Sequence, residues 1–159
     1  MIRLFVLSAA LIVIVLAGAK SSVAAEFDGT HCFTGVGRPF HESQELASLS
    51  SFVHNGIVRT NNAQFDNVAT HCEGVQRGVG ATRLGYALCK VVDREGDIAV
   101  LTTQFSGLNY MFGFAEGTGK WKGIKGEVRV DPLPSPSRPA VAGSYHICTK
   151  WKGAFDVVK

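Results

Sequence analysis

The 159-residue sequence lacks the short motifs that mark several classes of enzyme and metal site. It contains no Gly-x-Ser-x-Gly segment, so nothing in it supports a serine hydrolase. Cys-x-x-Cys and His-x-x-x-His pairs, whose spacing favours zinc, are also missing. The acidic segment Asp93–Asp97 does not have the ligand order of an EF-hand, which favours a solvated turn over a calcium site. We therefore expect no metal and no cofactor.

An apolar run long enough for a typical transmembrane helix is missing as well. The run Leu4–Ala19 has 16 residues without a charge, fewer than the ~20 that cross a bilayer. Arg3 precedes it, and the small residues Val23, Ala24 and Ala25 precede Glu26, an order typical of a secretory signal peptide cleaved after Ala25 or after Ala19. An uncleaved membrane anchor is the alternative. We predict a signal peptide at residues 1–25, one domain at residues 26–159, and an exported protein, periplasmic or extracellular, without a membrane span after cleavage.

The predicted mature chain has little net charge. Arg3 and Lys20 fall in the signal segment, which leaves 14 of the 16 basic residues against all 13 acidic residues, a net charge of +1. A nucleic-acid partner is therefore not expected, because its usual electrostatic support is absent. The sequence leaves the oligomeric state undetermined.

Four cysteines remain after the signal segment, and an even number in an exported domain predicts two disulfides with three possible connectivities. A glycine-rich reversal lies between Cys72 and Cys89, so antiparallel strands would place these two opposite each other. This favours the Cys72–Cys89 pair and, by elimination, a Cys32–Cys148 bridge between the two ends of the mature chain. Such a bridge suits a closed barrel, in which the first and last strands are neighbours.

The 18 glycines and ten phenylalanines, and the short segments of alternating polarity, predict β-structure. Strand-like segments lie at residues 26–36, 52–58 with a turn or bulge at Asn55-Gly56, 68–75, 84–89, 98–105, 110–115, 126–130 and 142–151. His41–Ser51 fits either a short helix or an irregular connection, and Asp131–Pro139 fits a surface loop. Because no segment has a helical apolar period, we predict an all-β protein, an antiparallel barrel of seven or eight strands.

The segment Glu116–Gly126, with the sequence EGTGKWKGIKG, is the most specific run in the chain. It resembles the Gly-Thr-Gly, aromatic, Gly, Gly segment of the allene oxide cyclase-like and dirigent-like barrels, and the resemblance covers roughly residues 66–130. It implies an eight-stranded, lipocalin-like barrel. No catalytic residue of those families has a convincing equivalent here, so none is transferred. The glycines also favour a barrel corner on physical grounds, with Trp121 filling the space beside them.

Two patterns each allow a functional and a structural interpretation. Histidines lie next to cysteines at His31-Cys32 and His71-Cys72, but neighbouring strand residues point to opposite faces, which favours disulfides over a metal. The run Lys-Trp-Lys-Gly occurs at 120–123 and again at 150–153. On strands, this predicts two core tryptophans with solvated lysines; the alternative is a basic surface that contacts anionic lipids or polysaccharide.

Aromatic residues of the predicted strands are our candidates for the lining of an apolar pocket in the barrel. They are Tyr86, Phe105, Tyr110, Phe112, Phe114 and Trp121. We predict a binding protein for a small apolar molecule, or a structural protein of the cell envelope, rather than an enzyme. An isomerase or cyclase is the enzymatic alternative, and His71, His146 and Glu73 are then the polar residues to test.

Overall fold

In the computed structural model, the described residues are 24–41, 48–79, 82–107, 110–134 and 141–157. Nearly all of the predicted signal segment lies outside them, so the signal peptide stays a prediction. The strands are β1 (Ala25–His41), β2 (Ser48–Thr60), β3 (Val68–Val79), β4 (Thr82–Val92), β5 (Ile98–Ser106), β6 (Tyr110–Gly117), β7 (Ile124–Pro132) and β8 (Ser144–Val157). The one helical element of the described residues is the 3₁₀ turn Gly119–Trp121, and nothing helical there has the length or apolar character of a membrane span.

The eight strands follow one another around a closed antiparallel barrel, as the sequence predicts. β1 pairs with β8, and Cys32 lies directly opposite Cys148 in this pair. Cys72 lies opposite Cys89 in the β3–β4 pair. Both predicted disulfides are present, and they are compatible with an exported protein.

The register shows which side chains fill the barrel. Residues directly opposite each other share a face, and alternate residues along a strand change face. Phe27, His31 and Phe33 of β1 are buried and point inward, whereas Cys32 between them is half-buried on the outer side. The Cys32–Cys148 disulfide therefore joins β1 to β8 on the outside of the barrel, and the buried Cys72–Cys89 disulfide lies inside it.

One end of the barrel is filled by side chains from its connections. Phe65, in the β2–β3 connection, is fully buried, and its ring lies 4.7 Å from Phe27 and 5.9 Å from Phe155. Trp121, in the 3₁₀ turn between β6 and β7, is also buried and lies 5.4 Å from Phe155. This aromatic plug closes the end at which β1 begins and β8 ends.

The Asp93–Asp97 turn is joined to the 3₁₀ turn by a buried carboxylate. Asp93 accepts hydrogen bonds from the Trp121 indole Nε1 at 2.8 Å and from the backbone of Glu95 and Asp97. The Lys120 ammonium group lies 2.9 Å from Asp93 and 2.6 Å from Glu95. Burial acts to raise the pKa of Asp93, but the bonds from Lys120, Trp121 and the Asp97 backbone outweigh it and hold that pKa below its usual value. The Asp93–Asp97 turn thus anchors the 3₁₀ turn, in addition to being a solvated loop.

Two sequence-based interpretations are corrected here. The Asn55-Gly56 pair is not a turn, since β2 runs through it with unbroken pairing to both neighbours. Gly56 instead makes room: a Cβ there would lie 2.7 Å from His31 Nε2 and 2.7 Å from Phe33 Cβ. Lys120 and Trp121 lie on a 3₁₀ turn rather than a strand, although Trp121 and Trp151 are both in the core as expected.

Candidate ligand-binding cavity

The end of the barrel opposite the plug encloses a cavity of about 620 Å³. It lies where β1, β3, β5 and β7 end, and its rim includes Pro39, Arg83 and Gly107. Small-molecule sites in proteins typically occupy ~300–1,000 Å³. The cavity therefore has the volume of a ligand site, and the plug at the other end makes it a blind pocket.

Aromatic rings form much of the cavity wall because inward positions of β1, β2, β5, β6 and β8 carry them. The aromatic lining comprises Phe33, Phe52, Phe105, Tyr110, Phe112, Tyr145 and Trp151. The rings contact one another: Phe105 lies 5.7 Å from Tyr110, and Phe112 lies 5.9 Å from Trp151. Such a wall favours apolar or aromatic molecules.

Two histidines lie within this aromatic wall, and each is held by a hydroxyl group. His31 Nε2 is 2.8 Å from Thr70 Oγ1, and His54 Nδ1 is 3.2 Å from Tyr145 Oη. Burial, together with the neighbouring His54, lowers the pKa of His31 to about 3. Burial and nearby His71 lower the pKa of His54 to about 4. Both imidazoles are therefore neutral at neutral pH.

The remaining polar groups of the cavity are also uncharged, apart from one residue at the rim. Burial raises the pKa of Tyr110 to about 12, and burial together with Tyr110 raises that of Tyr145 to about 12. Arg83 is the one Asp, Glu, Lys or Arg residue among the described residues that line the cavity. Its side chain is exposed at the rim. The interior thus offers hydrogen bonds without formal charge.

Trp151 carries a polar atom that the fold leaves unsatisfied. Its side chain is 1 % exposed and lines the cavity, with its ring 4.6 Å from His31. Within the described part of the chain, its indole Nε1 has no hydrogen-bond partner. A buried donor without an acceptor is costly, so an acceptor from a bound molecule or from water would stabilise this group.

The structure brings together three of the six residues predicted to line a pocket. Phe105, Tyr110 and Phe112 share the cavity wall. Phe114 and Trp121 belong to the opposite end, where each packs against Phe65. Tyr86 is 42 % exposed on the outer face, because its neighbour Ala87 takes the inward position of β4. Whether any of these residues binds a ligand stays a prediction.

The polar residues named for the enzymatic alternative lie on the outside. His71 and Glu73 occupy outward positions of β3 on either side of the buried Cys72, and His71 Nδ1 is 2.8 Å from Asn55 Oδ1. His146 is exposed, with Nδ1 2.9 Å from Thr34 Oγ1. The cavity instead contains His31 and His54, which sequence reasoning missed. The signal that could have found them is the apolar alternation around them, since residues 27, 31 and 33 fill one face of β1.

Three of the four lysines of the repeated Lys-Trp-Lys-Gly run form ion pairs with acidic residues. Lys150 and Lys152 both pair with Asp28 on the outer face of β1. Lys120 pairs with Asp93 and Glu95. A second, more open depression of about 740 Å³ lies on this outer face and is lined by charges of both signs, including Lys125, Glu127, Arg129 and Asp156. Contact of these lysines with anionic lipids or polysaccharide stays a prediction.

Comparison with known proteins supports the fold. The pterocarpan synthase dirigent protein PsPTS1 superposes with a TM-score of 0.51 over 84 % of this chain and 96 % of its own, at 9 % identity. This chain has the fold of a dirigent barrel. A second pterocarpan synthase dirigent protein, GePTS1, gives a TM-score of 0.47 at 9 % identity, over 82 % of this chain and 85 % of its own. The sequence matches no family model and no curated protein.

The shared barrel agrees with the dirigent half of the resemblance carried by Glu116–Gly126. Kinship with allene oxide cyclases stays a prediction. At this identity the comparison bears on the fold alone, and the chemistry of the cavity depends on its own residues.

Proposed function

We propose that the protein is exported and binds a small, mostly apolar molecule in the cavity of its dirigent-type barrel, without catalysing a reaction. The observation that carries this proposal is a blind cavity of about 620 Å³ with an aromatic wall and an uncharged interior. A purely structural barrel would gain stability by filling this volume with side chains, as the plug fills the opposite end. The two disulfides and the predicted signal peptide support export.

The polar groups of the cavity limit which kinds of ligand it can bind. His31, His54 and Tyr145 offer neutral hydrogen-bonding groups, and Trp151 offers a donor without a partner in the described residues. A ligand with an apolar or aromatic body and an uncharged acceptor, such as a carbonyl, would satisfy these groups. A ligand with a charge in the interior would lose its hydration without gaining an ionic partner.

The test is binding of a neutral apolar dye, N-phenylnaphthylamine, to the disulfide-bonded protein, followed by its fluorescence. Ala87 is a buried inward residue of β4 on the cavity wall, so Ala87→Leu takes up cavity volume. Ala69 is exposed on the outer face of β3, so Ala69→Leu is the matched control. We expect the wild type and Ala69→Leu to bind one dye per chain, and Ala87→Leu to bind at least tenfold more weakly.

Two outcomes count against a binding function. One is the absence of saturable dye binding to the wild type. The other is equal affinity of the Ala87→Leu and Ala69→Leu variants, with near-ultraviolet circular dichroism showing that both are folded. Either result would favour the structural role, since the dye would then not use the barrel interior.

A further inference from the structure

We propose that the Cys72–Cys89 disulfide and His54 form a redox-gated metal site on the inner wall of the barrel. When the disulfide is reduced, the two thiolates and the imidazole bind one zinc ion. This proposal is independent of the apolar ligand proposed above, because it concerns a different chemical state of the protein.

The three donor groups form one row across neighbouring strands. His54 on β2 lies directly opposite Cys72 on β3, and Cys72 lies directly opposite Cys89 on β4. Directly opposite residues point to the same face of a sheet, so all three side chains face the barrel interior. A ring nitrogen of His54 and the two Sγ atoms lie within 4.8 Å of one another. Once the disulfide is broken, the two Sγ atoms must move apart from bonding distance to admit a central ion with ligand distances of ~2.0–2.3 Å.

The surroundings of His54 suit a metal ligand. Tyr145 Oη is 3.2 Å from His54 Nδ1, and a contact of this kind fixes the orientation of a ligating histidine ring. The His54 ring also packs against two aromatic neighbours: its centroid lies 4.1 Å from that of Phe33 and 5.8 Å from that of Phe52. Ligation through Nε2 would leave the contact between Nδ1 and Tyr145 in place.

The donor set is one that zinc favours, and the cavity adds an open position. Two cysteines and one histidine are three protein ligands, which leave the fourth tetrahedral position to water or another small ligand. His54, Cys72 and Cys89 all belong to the cavity lining, so this fourth position would face the cavity. The arrangement corresponds to the ligand number of open zinc sites rather than closed structural ones.

The site can bind zinc only after the Cys72–Cys89 disulfide is reduced, because a disulfide sulfur is not a thiolate ligand. A dithiol reductant transfers two electrons and two protons to the Cys72–Cys89 bond, giving two thiols while the dithiol becomes a cyclic disulfide. Zinc then displaces one proton from each thiol as the two Zn–S bonds form. A small-molecule disulfide would reverse the switch: it accepts the two electrons and two protons and leaves as two thiols, while the Cys72–Cys89 bond re-forms and the ion is released. The sequence predicts no metal, and the proposed site departs from that expectation.

The second disulfide provides an internal control. Cys32 and Cys148 are half-buried on the outer side of the barrel. In the described portion of the chain, the His54, Cys72 and Cys89 group is the one cluster with metal-ligand geometry. The Cys32–Cys148 pair thus has the same chemistry without a third ligand.

The experiment compares three variants after reduction with a trialkylphosphine, which takes its oxygen from water as it becomes the phosphine oxide. Cys32→Ser with Cys148→Ser keeps the proposed site, and Cys72→Ser with Cys89→Ser removes it. Adding His54→Phe to the first variant removes the imidazole but keeps an aromatic ring between Phe33 and Phe52. Bound zinc is counted by equilibrium dialysis and metal analysis, and cobalt substitution reports thiolate ligation by its charge-transfer absorption.

We expect one zinc per chain for the reduced variant that retains Cys72 and Cys89, and none for the same variant while oxidised. Adding His54→Phe should weaken binding at least ~10-fold, as expected for losing a ligand. The variant without Cys72 and Cys89 should bind no zinc through thiolates. Folding is followed by near-ultraviolet circular dichroism, and if reduction unfolds the site-retaining variant, zinc should restore the native signal.

The proposal is overturned by three results. The first is no stoichiometric zinc on the reduced site-retaining variant. The second is an affinity that His54→Phe leaves unchanged. The third is zinc that binds the reduced chain without the native circular dichroism signal, since such binding would belong to an unfolded dithiol.

Discussion

His31 and His54 are buried bases in the aromatic wall of the cavity, and their burial has a cost that depends on pH. Lowered to about 3 and about 4, their pKa values lie below the value of 6.5 expected in the unfolded chain. Below pH 6.5 the unfolded state therefore binds more protons than the folded state, and stability falls as the pH falls. The polar groups nearest to them, besides each other, include Thr70, Tyr145 and the outward His71.

We expect the free energy of unfolding of the disulfide-bonded protein to decrease by up to ~1.4 kcal/mol per pH unit for each histidine between pH 6.5 and about 4. Urea unfolding at a series of pH values measures this slope. His54→Phe removes one of the two titrating groups, so its slope in this range should be about half that of the wild type. Equal slopes for the two proteins would show that His54 is not buried in its neutral form.

Asp93 supports the joint between the Asp93–Asp97 turn and the 3₁₀ turn. Asp93→Asn removes the oxygen that accepts from the Trp121 indole and leaves this buried N–H unpaired. We expect the free energy of unfolding to fall by about 1–3 kcal/mol. Glu95→Gln is the control, since Glu95 contacts the same Lys120 but is exposed, and its loss should be below ~1 kcal/mol. Equal losses would mean that the buried hydrogen bond contributes nothing beyond the surface ion pair.

At the level of the strands, β1 and β2 approach closely because Gly56 has no side chain. A Cβ at residue 56 would lie 2.5 Å from the Cys32 carbonyl oxygen and 2.7 Å from Phe33 Cβ. Sequence reasoning interpreted Asn55-Gly56 as a turn, because this pair is the strongest short hairpin signal. The tertiary pairing of β2 with both neighbours overrides that local preference.

We expect Gly56→Ala to lower the free energy of unfolding by about 1–3 kcal/mol or more, because backbone atoms must move to admit the methyl group. Gly37→Ala on β1 is the matched control, since a Cβ there meets no atom within 4 Å. Thermal and urea denaturation of both variants measure the difference. If Gly56→Ala were as stable as Gly37→Ala, this would contradict the conclusion that β1 and β2 lie too close at residue 56 to admit a methyl group.

At the level of the whole molecule, the Cys32–Cys148 disulfide links the strands that close the barrel. The two cysteines are 116 residues apart in sequence. In the chain-entropy model, constraining so long a loop in the unfolded chain stabilises the folded protein by about 5 kcal/mol. Because this bridge is half-buried on the outside, its removal should cost little in core packing.

We therefore expect replacement of Cys32 and Cys148 by alanine to lower the free energy of unfolding by about 3–5 kcal/mol in urea denaturation. Thr34→Ala is the control, because it removes the neighbouring Thr34–His146 hydrogen bond between the same two strands. That exposed contact should contribute ~1 kcal/mol or less. A disulfide variant that loses no more than Thr34→Ala would contradict a closing role for the bridge.

The barrel, its seven or eight strands and the Cys72–Cys89 disulfide could be predicted because they depend on local signals, and the Cys32–Cys148 disulfide then followed by elimination. Alternation along each strand and the glycine-rich reversal between Cys72 and Cys89 are visible in a short window of sequence. The cavity was predicted less well. Phe105, Tyr110 and Phe112 lie on its wall, but Phe114 fills the other end and Tyr86 faces outward. Aromatic character does not show which end or which face of a barrel a residue occupies.

Sequence by itself determined the fold class, the Cys72–Cys89 pair and the burial of both tryptophans, because each follows from the period and spacing of nearby residues. The Cys32–Cys148 pair, 116 residues apart, followed from it only by elimination. Only the tertiary structure decided that Phe65 and Trp121 close one end and that His31, His54 and Trp151 line the other. These groups come from strands and connections far apart in the chain. They meet because β1 pairs with β8, a contact whose position depends on closure of the whole barrel rather than on any local preference.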